Sequence, residues 1–133
     1  MRRVIISGGG TGGHIYPAIT IARAIADIEP TEFLYVGSKI GLENTLIPKE
    51  GLPFVTLDVR GLERKISVRN LVTLGKTAGS LIKAEGIIHK FKPDVVIGTG
   101  GFVCGPVLLA ASLSGVPTIP YMFYCTVGIR LCQ

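Results

Sequence analysis

Two stretches of this chain carry nearly the same string, and each lies between a short apolar run and a helix-like segment. Gly10-Thr11-Gly12-Gly13-His14-Ile15-Tyr16-Pro17-Ala18 stands near the start, and Gly98-Thr99-Gly100-Gly101-Phe102-Val103-Cys104-Gly105-Pro106 follows much later. A strand that enters a glycine-rich turn and leaves as a helix presents unpaired backbone N–H groups at the positive end of a helix dipole, an arrangement suited to phosphate. Two such turns in one domain imply a diphosphate or a large anionic substrate.

The segments around the turns alternate in type. The β-branched run from Arg3 to Ser7 predicts a buried strand, and Pro17 to Ile28 a helix with its proline in the first turn. Phe33 to Val36, Phe54 to Val59, Asp94 to Ile97 and the start at Thr118 to Ile119 read as further strands. Leu42 to Glu50, Val68 to Lys90 and Pro106 to Ser114 read as helices, the long one weakened by Gly75, Gly79 and Gly86. Such alternation means an α/β fold: a doubly wound, Rossmann-like parallel sheet with helices on both faces. In that order the first and fourth strands are neighbours at the topological switch point, so the two glycine turns wall one pocket.

With 133 residues the chain is long enough to bury a core as one domain. It is 47% apolar, but no apolar run approaches the roughly 20 residues that span a bilayer. The start, Met1-Arg2-Arg3-Val4-Ile5-Ile6, is too short in its apolar part for a signal peptide, which points to the cytosol. Cys104, Cys125 and Cys132 show no metal or redox spacing and read as reduced, structural thiols.

Charge is concentrated. Eight basic residues against Glu63 and Glu85 fall between Arg60 and Lys92, in a chain of net charge +5. Apolar Ile66, Val68, Leu71, Val72 and Leu74 interleave with the first of these bases. That surface suits anionic lipid headgroups, and it suits equally an ordinary amphipathic helix with a solvated face. No aromatic residues interleave for base stacking, which argues against nucleic acid.

The first turn admits several readings. Gly8, Gly10 and Gly13 satisfy a dinucleotide-binding pattern, but the second strand ends Tyr35-Val36-Gly37-Ser38-Lys39, without the acid that would hold a ribose. A nucleotide P-loop requires Lys and Ser or Thr where His14 and Ile15 stand. A tight turn with no ligand is the remaining alternative.

The glycine strings just quoted, the run Lys92-Pro93-Asp94-Val95-Val96-Ile97 before the second, and Gly115-Val116-Pro117-Thr118-Ile119 resemble the amino-terminal half of the MurG family over about residues 1–119. The resemblance implies a GT-B architecture, two Rossmann-like domains across a cleft. It also implies an inverting transfer of N-acetylglucosamine from UDP-N-acetylglucosamine to lipid I (undecaprenyl-diphospho-muramoylpentapeptide), which makes lipid II for peptidoglycan. No metal and no cofactor are implied. The amino-terminal domain takes the acceptor, with Gly10, Thr11, Gly12, Gly13, Thr99, Gly100 and Gly101 around the substrates and Tyr16 and Phe102 against the acceptor sugar. Arg64, Lys65, Ile66, Arg69, Leu71, Val72 and Lys76 would meet the cytoplasmic face of the bacterial membrane, making the protein peripheral.

His14 is the candidate base. Its imidazole type accepts a proton near neutral pH and here adjoins the glycine turn, although a purely structural bond to that turn is the alternative. His89, late in a basic helix, reads as a surface residue favourable to the helix dipole. After Ile119 the family continues with an Ile-His-Glu-Gln-Asn-like stretch, whereas this chain reads Pro120-Tyr121-Met122-Phe123-Tyr124-Cys125 and on to Gln133. The expectation is a divergent tail over residues 120–133, a missing carboxyl-terminal donor domain, and no transferase activity for the chain alone. A non-catalytic module that binds a polyprenyl diphosphate or a nucleotide sugar is the other reading. An apolar tail from Tyr121 to Leu131 beside an incomplete fifth strand would also promote association.

Overall fold

A computed structural model describes residues 1–58 and 68–121, with backbone alone for 68–74, 76 and 77. The elements alternate: β1 (Arg2–Gly8), α1 (Gly12–Ile28), β2 (Thr31–Ser38), α2 (Glu43–Lys49), β3 (Phe54–Leu57), α3 (Val68–Phe91), β4 (Val95–Gly100), α4 (Cys104–Leu113) and β5 (Thr118–Pro120). The five strands form one sheet in the order β3-β2-β1-β4-β5, with every pairing parallel. The expected doubly wound architecture is therefore present.

Strand periodicity divides the core in two. Val4 and Ile6 of β1 turn to one face, where Ile15, Ala18, Ile19 and Ala22 of α1 and Ile47 of α2 cover them. Ile5 turns to the other, against Ala84 and Ile88 of α3 and Val107, Ala110 and Ala111 of α4. The chain changes faces after β3, which leaves β1 and β4 adjacent with helices leaving on opposite sides.

Three boundaries differ from expectation at the glycine turns. Helix α1 begins at Gly12, well before Pro17, because only Gly10 of the turn needs the left-handed region (φ +90°) while Gly12 and Gly13 are already helical. Pro17 thus lies inside the helix and simply omits one N–H. Strand β4 runs on to Gly100 and α4 starts at Cys104, so the second turn is shorter than its residues suggest. Val59, the expected end of β3, lies outside the described residues. Among the described residues no helix is long and apolar enough to cross a membrane, and no group of three or more His, Cys, Asp or Glu could hold a metal ion.

Candidate active site at the switch point

The loops after β1 and β4 meet. The Gly9 N–H donates to the Gly100 carbonyl at 3.3 Å, and a Cβ on Gly101 would strike the Gly9 carbonyl oxygen. Only glycine permits that approach, since Gly101 also sits at φ +90°. The first turns of α1 and α4 follow directly, so two helix N-termini open at one rim of the sheet. Gly12 and Gly13 occupy the first two helical positions, whose N–H groups have no carbonyl one turn back to meet.

His14 stands third in α1, half-buried, with its ring against Gly100: a Cβ there would strike Nδ1. Its Nδ1 lies 3.3 Å from the Thr99 carbonyl. A carbonyl only accepts, so Nδ1 carries the proton and the lone pair of the neutral ring is on Nε2. This tautomer leaves Nε2 able to take a proton.

Thr99 is fully buried. The register between β1 and β4 slips there: Ser7 pairs with Gly98 and Gly8 with Gly100, so Thr99 has no partner residue in β1. Its hydroxyl lies 2.7 Å from the His14 carbonyl and 3.3 Å from that of Ser7. Thr99 therefore ties α1 to β4 from beneath the cleft, while Thr11, exposed at the N-cap of α1, faces solvent. Tyr16 and Phe102 are 60% and 70% exposed at the rim. Tyr16 also covers the Cα of Gly12.

A polar layer supports the loops, and sequence reasoning missed it. The Tyr35 hydroxyl donates to the Gly8 carbonyl at 2.8 Å. Burial, followed by the charge of Glu43 and the thiol of Cys104, pushes that phenol well above its ordinary value. Cys104 accepts the Gly100 N–H at 3.2 Å and lies 3.0 Å from the Ser7 and Gly100 carbonyls. Burial raises its thiol more than these bonds lower it. Glu43 is fully buried, and its carboxylate accepts the Gly10 N–H. The one signal for Glu43 was an acid set among Gly37, Ser38 and Gly41, just past the strand end where a ribose-binding acid was sought.

The basic segment is only partly visible. Arg64, Lys65 and Ile66 lie outside the described residues, and Arg69, Leu71, Val72 and Lys76 fall where α3 is described by its backbone alone. His89 is exposed in the last turn of α3, as expected. At the carboxyl ends of β2 and β3, Lys39, Asp58, Ser80 and Lys83 line a surface hollow of about 260 Å³. Strand β5 is an edge among the described residues, with Ile119 and Tyr121 exposed.

Comparison with known proteins bears on the family and the fold. A transferase of Thermoanaerobacter sp., named UDP-N-acetylglucosamine–N-acetylmuramyl-(pentapeptide) pyrophosphoryl-undecaprenol N-acetylglucosamine transferase, is 52% identical over 118 residues, 88% of this chain and 32% of its own. The protein of the same name from Pediococcus pentosaceus is 44% identical over 128 residues, 96% of this chain and 35% of its own. This chain thus spans about a third of the length of the curated relatives it matches. Among solved structures, Acinetobacter baumannii MurG superposes with a TM-score of 0.77 at 30% identity, over 89% of this chain and 34% of that one. The glycosyltransferase of kitacinnamycin, at 15% identity and a TM-score of 0.64, shares the fold. Residues 4–120 match the glycosyltransferase family 28 N-terminal domain, and the chain belongs to that family.

Proposed function

We propose that this chain is the acceptor-side half of a lipid II-forming N-acetylglucosaminyltransferase, with His14 as its general base. The observation that carries the reading is the Thr99 carbonyl 3.3 Å from His14 Nδ1, a contact that sets the tautomer on the wall of a cleft built from two glycine loops. Nε2 takes the proton of the acceptor sugar's hydroxyl as its oxygen bonds to the anomeric carbon of UDP-N-acetylglucosamine. The bond from that carbon to the diphosphate breaks, its electron pair leaves with UDP, and the configuration inverts.

The free N–H groups of Gly12 and Gly13, with Gly10, Thr11, Gly100 and Gly101 around them, face the acceptor diphosphate and the donor across the cleft. Tyr16 and Phe102 flank the acceptor sugar. Thr99 acts through the loops it ties together. The basic, apolar segment containing Arg64, Lys65, Ile66, Arg69, Leu71, Val72 and Lys76 rests on anionic headgroups at the cytoplasmic membrane face, where a polyprenyl tail is embedded. A second domain that binds the nucleotide sugar completes the cleft. Holding both substrates together accounts for about 7–11 kcal/mol of barrier reduction, so this half alone has no appreciable turnover.

The test is reconstitution. The chain, mixed with the separately expressed donor domain of the Thermoanaerobacter relative, should form lipid II from lipid I and UDP-N-acetylglucosamine, and neither part should do so alone. Binding of a prenyl diphosphate without transfer in the mixture would favour the non-catalytic module instead.

A further inference from the structure

Glu43 opens α2, yet its side chain turns inward and is fully buried. One oxygen accepts the Ser38 N–H at 3.0 Å and lies 2.5 Å from the Ser38 hydroxyl, which also lies 2.6 Å from the Ile40 carbonyl, and the other accepts the Gly10 N–H at 3.2 Å. Glycines surround the carboxylate, since a Cβ at Gly9 or Gly41 would strike its oxygens and one at Gly37 would crowd its Cγ at 2.8 Å. A buried carboxylate is tolerated when charge-assisted donors satisfy it, and the Ser38 and Gly10 N–H groups supply one to each oxygen.

A negative charge under a loop that receives a diphosphate works against anion binding. Its presence there calls for a geometric role strong enough to outweigh the repulsion. Gly10 is the residue of the first loop at φ +90°, and a Cβ there would meet nothing within 4 Å. The side a Cβ would occupy is thus open, and the bond to Glu43 anchors Gly10 from the inner side.

We propose that Glu43 is the positioning residue of the first glycine loop: it draws the Gly10 N–H inward as an internal anion and leaves the Gly12 and Gly13 N–H groups as the donors offered to the substrate diphosphate. The inference rests on the cleft being a diphosphate site. It assigns the loop's donors to two classes, those committed to the protein and those available to the ligand. Glu43 does not touch the reacting atoms.

The wild-type chain tests this without any substitution. Amide exchange measured by NMR should show Gly10 protected with or without farnesyl diphosphate, and Gly12 and Gly13 unprotected until the diphosphate is added. Glu43→Gln then sharpens the test. An amide offers one acceptor and one donor end, so it cannot accept from both Gly10 and Ser38. Gly10 protection should fall and the affinity for farnesyl diphosphate should drop at least about tenfold, whereas Ser38→Ala, which leaves the Gly10 bond in place, should keep most of the affinity.

If farnesyl diphosphate does not bind the wild-type chain, the cleft reading fails and the assignment of donors falls with it. If it binds and Gly10 is the amide that responds, or if Glu43→Gln binds equally well, the role of Glu43 is overturned while the cleft reading stands. Should Glu43→Gln fail to fold, the wild-type exchange pattern decides.

Discussion

The loops after β1 and β4 share the letters Gly-Thr-Gly-Gly, but the letters sit at different places in the fold. The strings align with Gly10 on Gly98, an offset of 88 residues. The structures align at 92, because α1 begins at Gly12 and α4 at Cys104, and Gly8 pairs with Gly100 in the sheet. Thr11 is consequently an exposed N-cap, while Thr99 is a buried strand residue beneath the histidine. The first loop is held by side chains, Glu43 on Gly10 and Tyr35 on Gly8. The second is held largely by backbone contact with the first and by its own Cys104. Similar strings at a switch point thus built one wall anchored by side chains and one anchored by backbone contact.

The largest expected effect lies on the first wall. In the reconstituted two-domain enzyme, His14→Asn should lower turnover by about 10²-fold or more with acceptor binding little changed. Phe102, exposed on the second wall, carries no base, so Phe102→Leu should act mainly through KM. Steady-state kinetics with lipid I as the varied substrate separates the two, and an unchanged rate for His14→Asn would remove the imidazole from the mechanism.

The next comparison sets glycine against glycine. Gly10 and Gly101 share φ +90°, but a Cβ at Gly10 meets open space and one at Gly101 meets the Gly9 carbonyl. Gly10→Ala should cost about 1 kcal/mol, from the backbone conformation alone. Gly101→Ala should cost about 3 kcal/mol or more, because the loops must separate as well. Urea unfolding of both variants measures the difference, and equal losses would mean that the close approach of the loops contributes nothing to stability.

These contrasts mark what could be read from the residues. Strand and helix alternation, the parallel sheet and the pairing of the two turns were legible because they follow from β-branched runs and glycine clusters, which act locally. The tautomer of His14 was not, since it depends on a carbonyl 85 positions away in sequence. The repeat itself misled: equal strings suggested equal roles for Thr11 and Thr99, and only the register slip at Ser7 and Gly8 separates them. Glu43 was invisible for a related reason. An isolated acid at a helix start normally reads as a favourable charge at the dipole's positive end, and its inward turn is set by a loop that the chain reaches from 33 positions earlier.

Alkaline pH should distinguish the walls by their anchors. The Cys104 thiol is raised above its ordinary 9.0 and the Tyr35 phenol above its ordinary 10.0. Both groups stay protonated in the folded chain at pH values where the unfolded chain has released them, so the unfolded state binds fewer protons and stability falls as pH rises. The loss should begin near pH 9 through Cys104 and steepen above pH 10 through Tyr35, each adding up to about 1.4 kcal/mol per pH unit. Cys104→Ala should abolish the first phase and leave the second. A stability profile flat from pH 8 to about 11 would show that neither group is as buried as its surroundings indicate.

The smallest effect concerns a glycine that belongs to neither wall. Gly86 lies on the exposed side of α3, a Cβ there meets nothing within 4 Å, and its φ is not in the left-handed region. It lacks both features that make Gly101 irreplaceable, so alanine should fit without strain and restrict the unfolded chain. Gly86→Ala should therefore stabilise the protein by about 0.5–1 kcal/mol, opposite in sign to both loop substitutions. Thermal unfolding of the three alanine variants side by side would order them by cause: strain plus collision at Gly101, strain alone at Gly10, and neither at Gly86. A destabilised Gly86→Ala would instead mean that something packs on this face of α3, and vesicle binding by that variant would then show whether the same face is the one that lipid meets.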